Sequence, residues 1–363
     1  MRVAIDEQIF AIQQFGGISR YFAELSQQFV EHSDLGIDLV TRPTPVFNDY
    51  LIRGLHGRPT MPGAYEASHL GAMARMMARR RHRDTVDVVH HTFYLTRFLS
   101  DYPGARRVVT VYDMIPERFP GDFRRQDLLT SKRRFVDAAD EVICISHATR
   151  ADLHHFFGDL RARVRVIHLG VDEEFFSQPA EPIPGWPRSY LLFVGKRGQY
   201  KDAHSLLVAF SRIRDRFPDV QLVLVGGGDL TSTEIRELNE LGIASRVLHR
   251  HLPDALLPAA YRHAHAFVFP SRYEGFGLPA LEAMASGTPT ILCRSASLPE
   301  VGGDAAAYFD PGDVDGLVAA LESVMTDESV AEALRIAGRA RGRQFTWRRT
   351  AQETAHAYAA LGR

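Results

Sequence analysis

Residues 266–292 read AFVFPSRYEGFGLPALEAMASGTPTIL, and this stretch decides the fold because it contains one complete strand, turn and helix. The apolar run AFVF predicts a buried strand, and Gly275 and Gly277 allow the backbone to turn tightly beyond it. Pro279 suits the first turn of a helix, and Gly287 followed closely by a proline predicts where that helix ends. A strand that leads through a glycine-rich turn into a helix is typical of a parallel α/β sheet.

The same alternation recurs along the whole chain. Short β-branched runs such as VAID, RRVVTVYD and EVICIS precede helical patterns in the first half, and YLLFVG and VQLVLVGGG do so in the second. Between the halves, SQPAEPIPGWPRSY at 177–190 interrupts every periodicity and predicts a linker. The fold class is therefore α/β, with two facing Rossmann-like domains whose parallel sheets border an inter-domain cleft. We expect an N-terminal domain at 1–176, a C-terminal domain at 191–344, and a terminal helix at 345–363 that crosses back towards the N-terminal domain.

The composition excludes several classes of protein. A net charge of −1 over 363 residues argues against a nucleic-acid-binding protein, because such proteins usually carry excess positive charge. The two cysteines, Cys144 and Cys293, lie in apolar runs and form neither a disulfide framework nor a zinc site, which favours a reducing cytoplasm. No apolar run approaches the roughly 18–20 residues that a transmembrane helix needs. The sequence therefore predicts a cytoplasmic protein.

Two carboxylates flank the turn into the helix. Glu274 lies in the turn, and Glu282 lies about one turn into the helix on the same side, so the two could bracket a ligand. Free backbone amides at a helix N-terminus are a natural seat for a phosphate. The amides predicted to be free are those of Gly275, Phe276, Gly277 and Leu278. The residues alone leave open a simpler reading, in which Glu274 is a solvated loop residue and Glu282 stabilises the helix start through its dipole.

A basic loop follows an earlier strand of the same domain. FVGKRGQYKD at 193–202 places Lys196, Arg197 and Lys201 at the carboxyl end of that strand. Three cations there could neutralise a diphosphate without a metal, by charge–charge contact and by forked hydrogen bonds from arginine. A solvated surface turn is the alternative.

Glycines also open a helix of the first domain. FGGISRY at 15–21 places Gly16 and Gly17 at the start of a helical pattern whose N-terminus would face the cleft, so these glycines are candidate donor-binding residues. VLVGGGD at 223–229 ends a further strand in three glycines, which is a weak signal when taken alone.

Four stretches together resemble glycosyltransferase family 4, a large retaining family of the GT-B architecture. They are PSRYEGFGLPALEAMASGTPTI, VGKRGQYKD, VIHLGVDEEFF and IDEQIF…GGISRYF. The resemblance covers nearly the whole chain, and its carboxylate pair E-x7-E in the EGFGLPALEA setting is specific. It is strongest to bacterial polysaccharide enzymes that begin with GGISRYF, many of which use GDP-mannose. It implies an N-terminal domain that binds the acceptor and a C-terminal domain that binds the nucleotide sugar.

The resemblance also implies a role for each matching residue. Glu282 would accept hydrogen bonds from the ribose hydroxyls of the nucleotide. Glu274 would bind hydroxyls of the transferred sugar and stabilise positive charge at its anomeric carbon, and Lys201 would pair with the phosphates. The amides after Glu274 would hold the sugar and the diphosphate. The family usually has arginine directly after the glycine of the basic loop, whereas this chain has Lys196 followed by Arg197, so which of the two binds the diphosphate stays open.

A second departure lies in VVTVYDMIPERFP at 108–120. This stretch resembles one that often reads His-Asp in the family, but here it reads Tyr112-Asp113. A tyrosine can donate a hydrogen bond to a sugar hydroxyl, but its pKa of about 10 prevents it from acting as a base at neutral pH. We expect Asp113 to lie near the sugar or the acceptor as a second catalytic residue. The alternative is that Asp113 caps the following loop.

The predicted function is a metal-independent retaining glycosyltransferase that moves a hexose from a nucleotide diphosphate sugar to a hydroxyl of a glycan or lipid-linked acceptor, in polysaccharide biosynthesis. Mannose from GDP-mannose is the favoured donor, and no cofactor is expected besides this co-substrate. A UDP-sugar-dependent enzyme of the same family is the alternative. A nucleotide-sugar epimerase and a non-catalytic nucleotide-sugar-binding protein are less favoured by GGISRYF combined with the basic loop and E-x7-E.

The histidines and one basic stretch complete the predictions. The 16 histidines show neither metal-ligand spacing nor clustered carboxylates, so no metal site is expected. His90, His91 and His147 lie at strand ends and could contact the acceptor, or be satisfied core or surface histidines.

AMARMMARRRHR at 72–83 could rest on anionic lipid at the inner face of the membrane. A solvated or partner-facing basic helix is the alternative.

Overall fold

The computed structural model describes residues 1–40, 44–46, 48–52, 64–66, 68, 71, 85–122, 126–177 and 181–362. The chain divides into two compact units. The first unit comprises Met1–Gly170 together with Thr346–Arg363, and the second comprises Val171–Phe345. A six-stranded sheet forms the centre of each unit.

All strands of the first unit's central sheet run parallel, in the order β2-β1-β5-β6-β7-β8. The chain starts at β1, moves to one side, and returns on the other side of β1 at β5, so the topological switch point lies between β1 and β5. Two further strands, β3 and β4, pair with each other outside this sheet. The strands are, in chain order, β1 (Arg2–Ile5), β2 (Asp38–Leu39), β3 (Thr44–Val46), β4 (Ala64–Glu66), β5 (Val88–His91), β6 (Arg106–Val111), β7 (Glu141–Cys144) and β8 (Arg163–Val166).

Helices connect β1 to β2, β6 to β7 and β7 to β8, and such crossovers are what parallel pairing usually requires. The longest, α2, buries an apolar face that includes Tyr21, Phe22, Leu25 and Phe29, a spacing that repeats about once per turn. The helices of this part of the chain whose bounds lie among the described residues are α1 (Gln8–Ile12), α2 (Gly17–Glu31), α3 (Asp49–Ile52), α4 (Ile115–Arg118), α5 (Gln126–Ala138) and α6 (His147–Phe157).

The second unit repeats the design. Its strands are all parallel, in the order β11-β10-β9-β12-β13-β14. Here the chain starts at β9 and returns on its other side at β12, which puts the switch point between β9 and β12. These strands are nearly continuous apolar runs because helices cover both faces of such a sheet. They are β9 (Tyr190–Val194), β10 (Gln221–Val225), β11 (Val247–Arg250), β12 (Ala266–Phe269), β13 (Thr290–Cys293) and β14 (Ala307–Phe309).

Side chains cap several helices of the second unit. Thr231 and Glu234 form a reciprocal capping box at the start of α8, and Asp313 and Asp327 cap α12 and α13. The helices are α7 (Ala203–Ile213), α8 (Ser232–Glu240), α9 (Leu257–Arg262), α10 (Leu278–Ala285), α11 (Leu298–Gly302), α12 (Val314–Thr326) and α13 (Glu328–Gly342).

The terminal helix α14 (Trp347–Ala359) returns to the first unit. Tyr358 is fully buried there, and its hydroxyl lies 2.6 Å from Nδ1 of His90. The Thr350 hydroxyl donates to the carbonyl of His168 at 2.8 Å. Gly170 passes so close to this helix that a Cβ at that position would overlap the backbone nitrogen of Trp347. The helix is thus fixed by polar contacts as well as by its apolar face.

The parallel sheets predicted from the strand–helix alternation are confirmed in both units. The border between the units falls at Val171, because the N–H of this residue bonds to Phe345 O at 3.2 Å and Phe175 packs edge-on against Tyr261. Residues 171–176 therefore lie in the second unit, so the border comes earlier in the chain than predicted.

The basic stretch 72–83 lies outside the described residues. No helix among the residues described combines the length and the hydrophobicity needed to cross a bilayer.

Both cysteines lie in buried strands, as their apolar runs indicated. Cys144 ends β7 and Cys293 ends β13, and both are fully buried. Burial raises the pKa of each thiol to about 12.

We predict that Gly170→Ala destabilises the first unit. The added methyl group would overlap the backbone at Thr346 and Trp347, and main-chain atoms cannot move aside as a side chain does. The expected loss is about 2 kcal/mol or more, which lowers the unfolding midpoint by about 5 °C. Differential scanning calorimetry of the full chain measures it. Gly121→Ala is the matched control because nothing lies within 4 Å of a Cβ there. Equal midpoints for the two variants would contradict the close approach of the helix.

Candidate active site

The candidate site lies at the switch point of the second sheet. The basic loop at 195–202 follows β9, and the glycine-rich turn at 270–277 follows β12, the neighbouring strand. Because the two strands are parallel, both loops leave the sheet at the same edge. Open parallel sheets bind ligands at the carboxyl ends of the strands on either side of such a point. Chain topology therefore brings the two predicted segments together.

Lys201 and Glu274 form an ion pair at this edge. The ammonium Nζ donates to Oε1 of the carboxylate at 2.5 Å, and the two side chains are 14% and 10% exposed. The ammonium also lies 5.3 Å from the ring centroids of Tyr200 and Phe269, within the range of a cation–π contact. The structure thus places the residue predicted to bind phosphate directly against the residue predicted to bind sugar.

The turn after Glu274 presents backbone amides at the start of α10. Gly277 has a φ of +106°, a conformation that favours glycine. The buried Ser297 hydroxyl lies 2.9 and 2.8 Å from the carbonyls of Glu274 and Phe276, and it holds the turn in place. Among the residues that the structure describes, the N–H groups of Gly277 and Leu278 have no protein acceptor. Because the first N–H groups of a helix lack an intrahelical acceptor, these two are suited to a ligand.

The remaining predicted residues of this segment are buried. Glu282 lies on α10, and its Oε2 accepts a hydrogen bond from the Tyr261 hydroxyl at 3.0 Å. Phe276 packs edge-on against Phe345, with ring centroids 5.9 Å apart. Gly275 is buried and makes contacts of its own. The predicted contact between Glu282 and a ribose stays a prediction.

Arg197 and Lys196 have different surroundings. The Arg197 side chain is only 5% exposed, and its guanidinium is bonded entirely within the protein. Lys196 is exposed, and within the described residues its ammonium has no hydrogen-bond or ion-pair partner. Lys196 is therefore the cation of the two that is available to a diphosphate. The acceptors of Arg197 are Glu234 Oε1 at 2.6 Å, Gly226 O at 2.6 Å, Gly228 O at 2.9 Å and Asp229 O at 3.1 Å.

In the first unit, Asp113 follows β6 and is held by local contacts. Its Oδ1 accepts a hydrogen bond from the N–H of Ile115 at 3.0 Å, and its carbonyl accepts one from Lys132 Nζ at 3.0 Å. The adjacent Tyr112 hydroxyl is buried and donates to Thr92 O at 3.0 Å, and burial raises the pKa of Tyr112 well above 10.0. The tyrosine hydroxyl is therefore already used inside the protein. The capping contact predicted as the alternative for Asp113 is present, and its catalytic role stays a prediction.

The two glycines at the start of α2 occupy a tight turn. Gly16 has a φ of +155°, and a Cβ there would overlap the side-chain amide of Gln13. The same amide oxygen accepts a hydrogen bond from the N–H of Ser19 at 3.0 Å, so Gln13 caps part of this helix. Gly17 is the first helical residue. Donor binding by Gly16 and Gly17 stays a prediction.

Sequence patterns did not indicate the polar cluster at the switch point of the first sheet. Asp6 follows β1, and its Oδ1 accepts hydrogen bonds from Thr92 N at 2.9 Å and Thr92 Oγ1 at 2.6 Å. Its Oδ2 accepts from Gln8 Nε2 at 2.6 Å and lies 2.7 Å from His91 Nδ1. Burial alone would raise the pKa of Asp6, but the contacts with His91 and Thr92 lower it below 3.8. The signal was available, since polar residues directly follow two strands that flank a switch point.

The neighbouring histidine has a structural role. Both ring nitrogens of His90 have partners, Tyr358 OH at 2.6 Å and Thr110 Oγ1 at 2.8 Å. Burial lowers the pKa of His90 to about 3, so the ring is neutral at physiological pH. His147 is the exposed first residue of α6. Of the three histidines considered for acceptor contact, His90 is thus a satisfied core residue.

One group in the second unit has metal-binding residue types close together. Asp229, His249 and His251 each place a ligand atom within 4.8 Å of the other two. The spacing of these residues along the chain did not indicate the group, because it forms between the loop after β10 and the end of the edge strand β11. The absence of a metal site stays a prediction.

Comparison with known proteins identifies the class. The "Glycosyltransferase Family 4" profile matches residues 15–175, and the "Glycosyl transferases group 1" profile matches residues 181–341. The O-antigen chain mannosyltransferase B of Escherichia coli is 31% identical over 331 residues, which covers 86% of this chain and 83% of that protein. The alpha-maltose-1-phosphate synthase of Mycolicibacterium smegmatis is 28% identical over 396 residues, 99% of each chain.

A solved structure supports the fold. Sucrose-phosphate synthase from Thermosynechococcus elongatus superposes with a TM-score of 0.74 at 22% identity, covering 99% of this chain and 98% of that chain. The architecture is therefore GT-B, with two Rossmann-like units, and the protein is a glycosyltransferase. It belongs to glycosyltransferase family 4, as the E-x7-E turn, the basic loop and GGISRYF indicated.

We predict that Arg197→Met destabilises the second unit by about 2–3 kcal/mol, because Glu234 and three carbonyls lose a charged hydrogen-bond donor. The corresponding fall in the unfolding midpoint is about 5–10 °C by calorimetry. Arg212→Met is the control, since Arg212 pairs with Asp315 on the surface, where such pairs contribute at most about 1 kcal/mol. If both variants have the same unfolding midpoint as the wild type, Arg197 does not stabilise the loop after β9.

The same variant has a predicted pH dependence. Burial alone would raise the pKa of Glu234, but hydrogen bonds from Arg197 and Thr231 lower it below 4.5. A depressed folded-state pKa gives stability that is present above pH 4.5 and is lost as pH falls through the folded value. The difference in unfolding midpoint between wild type and Arg197→Met should therefore narrow as the pH falls below 4.5. A difference that stays constant or widens as the pH is lowered to the acid limit of folding would contradict the assignment.

Proposed function

We propose that this enzyme transfers mannose from GDP-mannose, with retention of anomeric configuration, to a hydroxyl of a glycan or lipid-linked acceptor in cytoplasmic polysaccharide biosynthesis. The observation that carries the proposal is the contact between Lys201 and Glu274. The bond that breaks joins the anomeric carbon to a phosphate oxygen, and it develops positive charge on carbon and negative charge on oxygen. A cation and an anion 2.5 Å apart match that polarity.

The surrounding groups suit the departing diphosphate. Lys201 has three N–H donors, so one can stay on Glu274 while the others reach phosphate oxygens. Lys196 adds an exposed cation on the same loop, and the amides of Gly277 and Leu278 add neutral donors at a helix N-terminus. Fixed donors of this kind stabilise a leaving dianion without a metal ion.

The mechanism needs no side-chain base. The acceptor oxygen attacks the anomeric carbon on the face from which the diphosphate leaves, as the carbon–oxygen bond to phosphate breaks. The acceptor proton passes to the leaving phosphate oxygen, which keeps the charges balanced. Glu274 stabilises the oxocarbenium-like centre by electrostatic attraction. Asp113 is proposed to orient the sugar or the acceptor, from the carboxyl edge of the first sheet.

The choice of mannose rests on a relative. The E. coli protein that covers 86% of this chain is named an O-antigen chain mannosyltransferase, which supports mannose as the sugar and a polysaccharide as the product. The alpha-maltose-1-phosphate synthase is named for a different product, so the donor is best decided by experiment.

A thermal-shift screen tests the donor. GDP and GDP-mannose should raise the unfolding midpoint more than UDP-, ADP- or other nucleotide sugars, because a ligand that binds only the folded state stabilises it by mass action. A larger shift with UDP-glucose than with GDP-mannose would contradict GDP-mannose and favour the UDP-sugar alternative.

Replacement of Glu274 tests catalysis. Glu274→Gln should lower GDP release from GDP-mannose, with a membrane lipid extract as the source of acceptor, by about 10²- to 10³-fold. GDP affinity should fall by less than about threefold, because the lysine that holds the phosphate remains. Glu322→Gln is the control, since Glu322 also pairs with a basic residue of the same unit, Arg216.

Full turnover in Glu274→Gln would contradict the catalytic role of Glu274. A change of the sugar without GDP release would contradict the transferase, and it would indicate an epimerase.

A further inference from the structure

Asp202 has a backbone conformation that is unusual for a residue with a side chain. It lies between Lys201 and α7, with φ +50° and ψ 39°, in the left-handed region. Its carboxylate is 5% exposed, and Oδ2 accepts hydrogen bonds from Ser205 Oγ at 2.9 Å and Arg272 Nε at 2.9 Å. Residues persist in this conformation only where the surroundings hold them, and such residues concentrate at functional sites.

Arg272 contacts the residues on both sides of Lys201. Its backbone N–H donates to the carbonyl of Tyr200 at 2.7 Å, while its side chain bonds to Asp202. Its own carbonyl accepts a hydrogen bond from Ser295 Oγ at 2.5 Å, which ties it to the loop after β13. The loop after β9 is thus fastened to the turn after β12 immediately before and immediately after Lys201.

From this arrangement we infer that Asp202 and Arg272 form a brace that positions Lys201 for the diphosphate. The inference rests on the proposed function, in which Lys201 binds the phosphates. Glu274 follows Arg272 by two residues, so the brace and the ion pair join the same two segments side by side. Neither Asp202 nor Arg272 needs to touch the donor. They are positioning residues that act through Lys201.

The flexibility of lysine explains why a brace is needed. Four rotatable bonds separate the ammonium from the backbone, so its location depends on where the backbone is held. Without the bond to Arg272, the left-handed conformation at Asp202 loses a contact that stabilises it, and the turn can relax. Loss of the brace should therefore weaken binding of the second phosphate of the diphosphate. Binding of the nucleoside should stay unchanged.

The alternative is that this ion pair only stabilises the fold. The Arg272 side chain is 50% exposed, and such pairs often contribute little. A readout that separates the two uses GDP and GMP, which differ by one phosphate. Calorimetric titration of the full chain with each nucleotide gives both affinities without an acceptor.

We expect Arg272→Met to bind GDP about tenfold more weakly than wild type and GMP within about twofold. Asp202→Asn should show the same pattern, because asparagine tolerates the left-handed conformation but brings no charge to Arg272. Asp202→Asn is also the substitute test if Arg272→Met fails to fold, as judged by the melting curve of Arg272→Met. Arg294→Met is the matched control, since Arg294 is 57% exposed, lies 3.7 Å from Asp310 and follows a strand of the same sheet. It should bind both nucleotides like wild type.

The outcomes separate the brace from the function. If the wild type binds GDP no better than GMP, the assignment of the diphosphate to Lys201 fails, and the proposed function fails with it. If the wild type prefers GDP and both brace variants keep that preference, the brace alone is wrong. Equal weakening of GDP and GMP in the variants would indicate a purely structural ion pair, and it would also overturn the inference.

Discussion

Lys201 and Glu274 meet with ammonium and carboxylate 2.5 Å apart, where two neighbouring parallel strands end. Both side chains are mostly withdrawn from water, so each charge depends on the other, because an unpaired charge at such a position is strongly destabilising. The strand order creates the contact, since β9 and β12 are adjacent although two strands and three α-helices separate them in the chain. Ser297 holds the turn that carries Glu274, and Arg272 fastens the loop that carries Lys201.

The basic residues at this edge divide into two kinds. Arg197 and Arg272 bond to carbonyls and carboxylates of the protein, which suits a planar guanidinium with several fixed donors. Lys196 and Lys201 carry compact charges on flexible side chains. Lys196 is exposed, whereas Lys201 donates to the Glu274 carboxylate and keeps further N–H donors for a phosphate. At this edge the two arginines hold loops, and the two lysines have N–H donors left for a ligand.

The sequence predicted the architecture, and the structure brings the two predicted segments to one edge of the second sheet. Two parallel sheets followed from the alternation of strands and helices, and the turn at 266–292 indicated where a helix N-terminus would lie. What it could not predict were contacts set by strand order. The pairing of Lys201 with Glu274 and the capture of Arg197 by the loop after β10 both join loops that are distant in the chain. Residue type alone also could not show that Arg197 is buried and bonded within the protein while Lys196 is exposed.

The most direct measurement is a crystal structure of the protein with GDP bound. The account predicts the β-phosphate within hydrogen-bonding distance of Lys201 Nζ, about 2.7–3.2 Å, with Glu274 still beside that lysine and Lys196 turned towards the phosphates. A diphosphate bound away from Lys201 and the 274–282 segment, or held by Arg197 after release from Glu234, would contradict it.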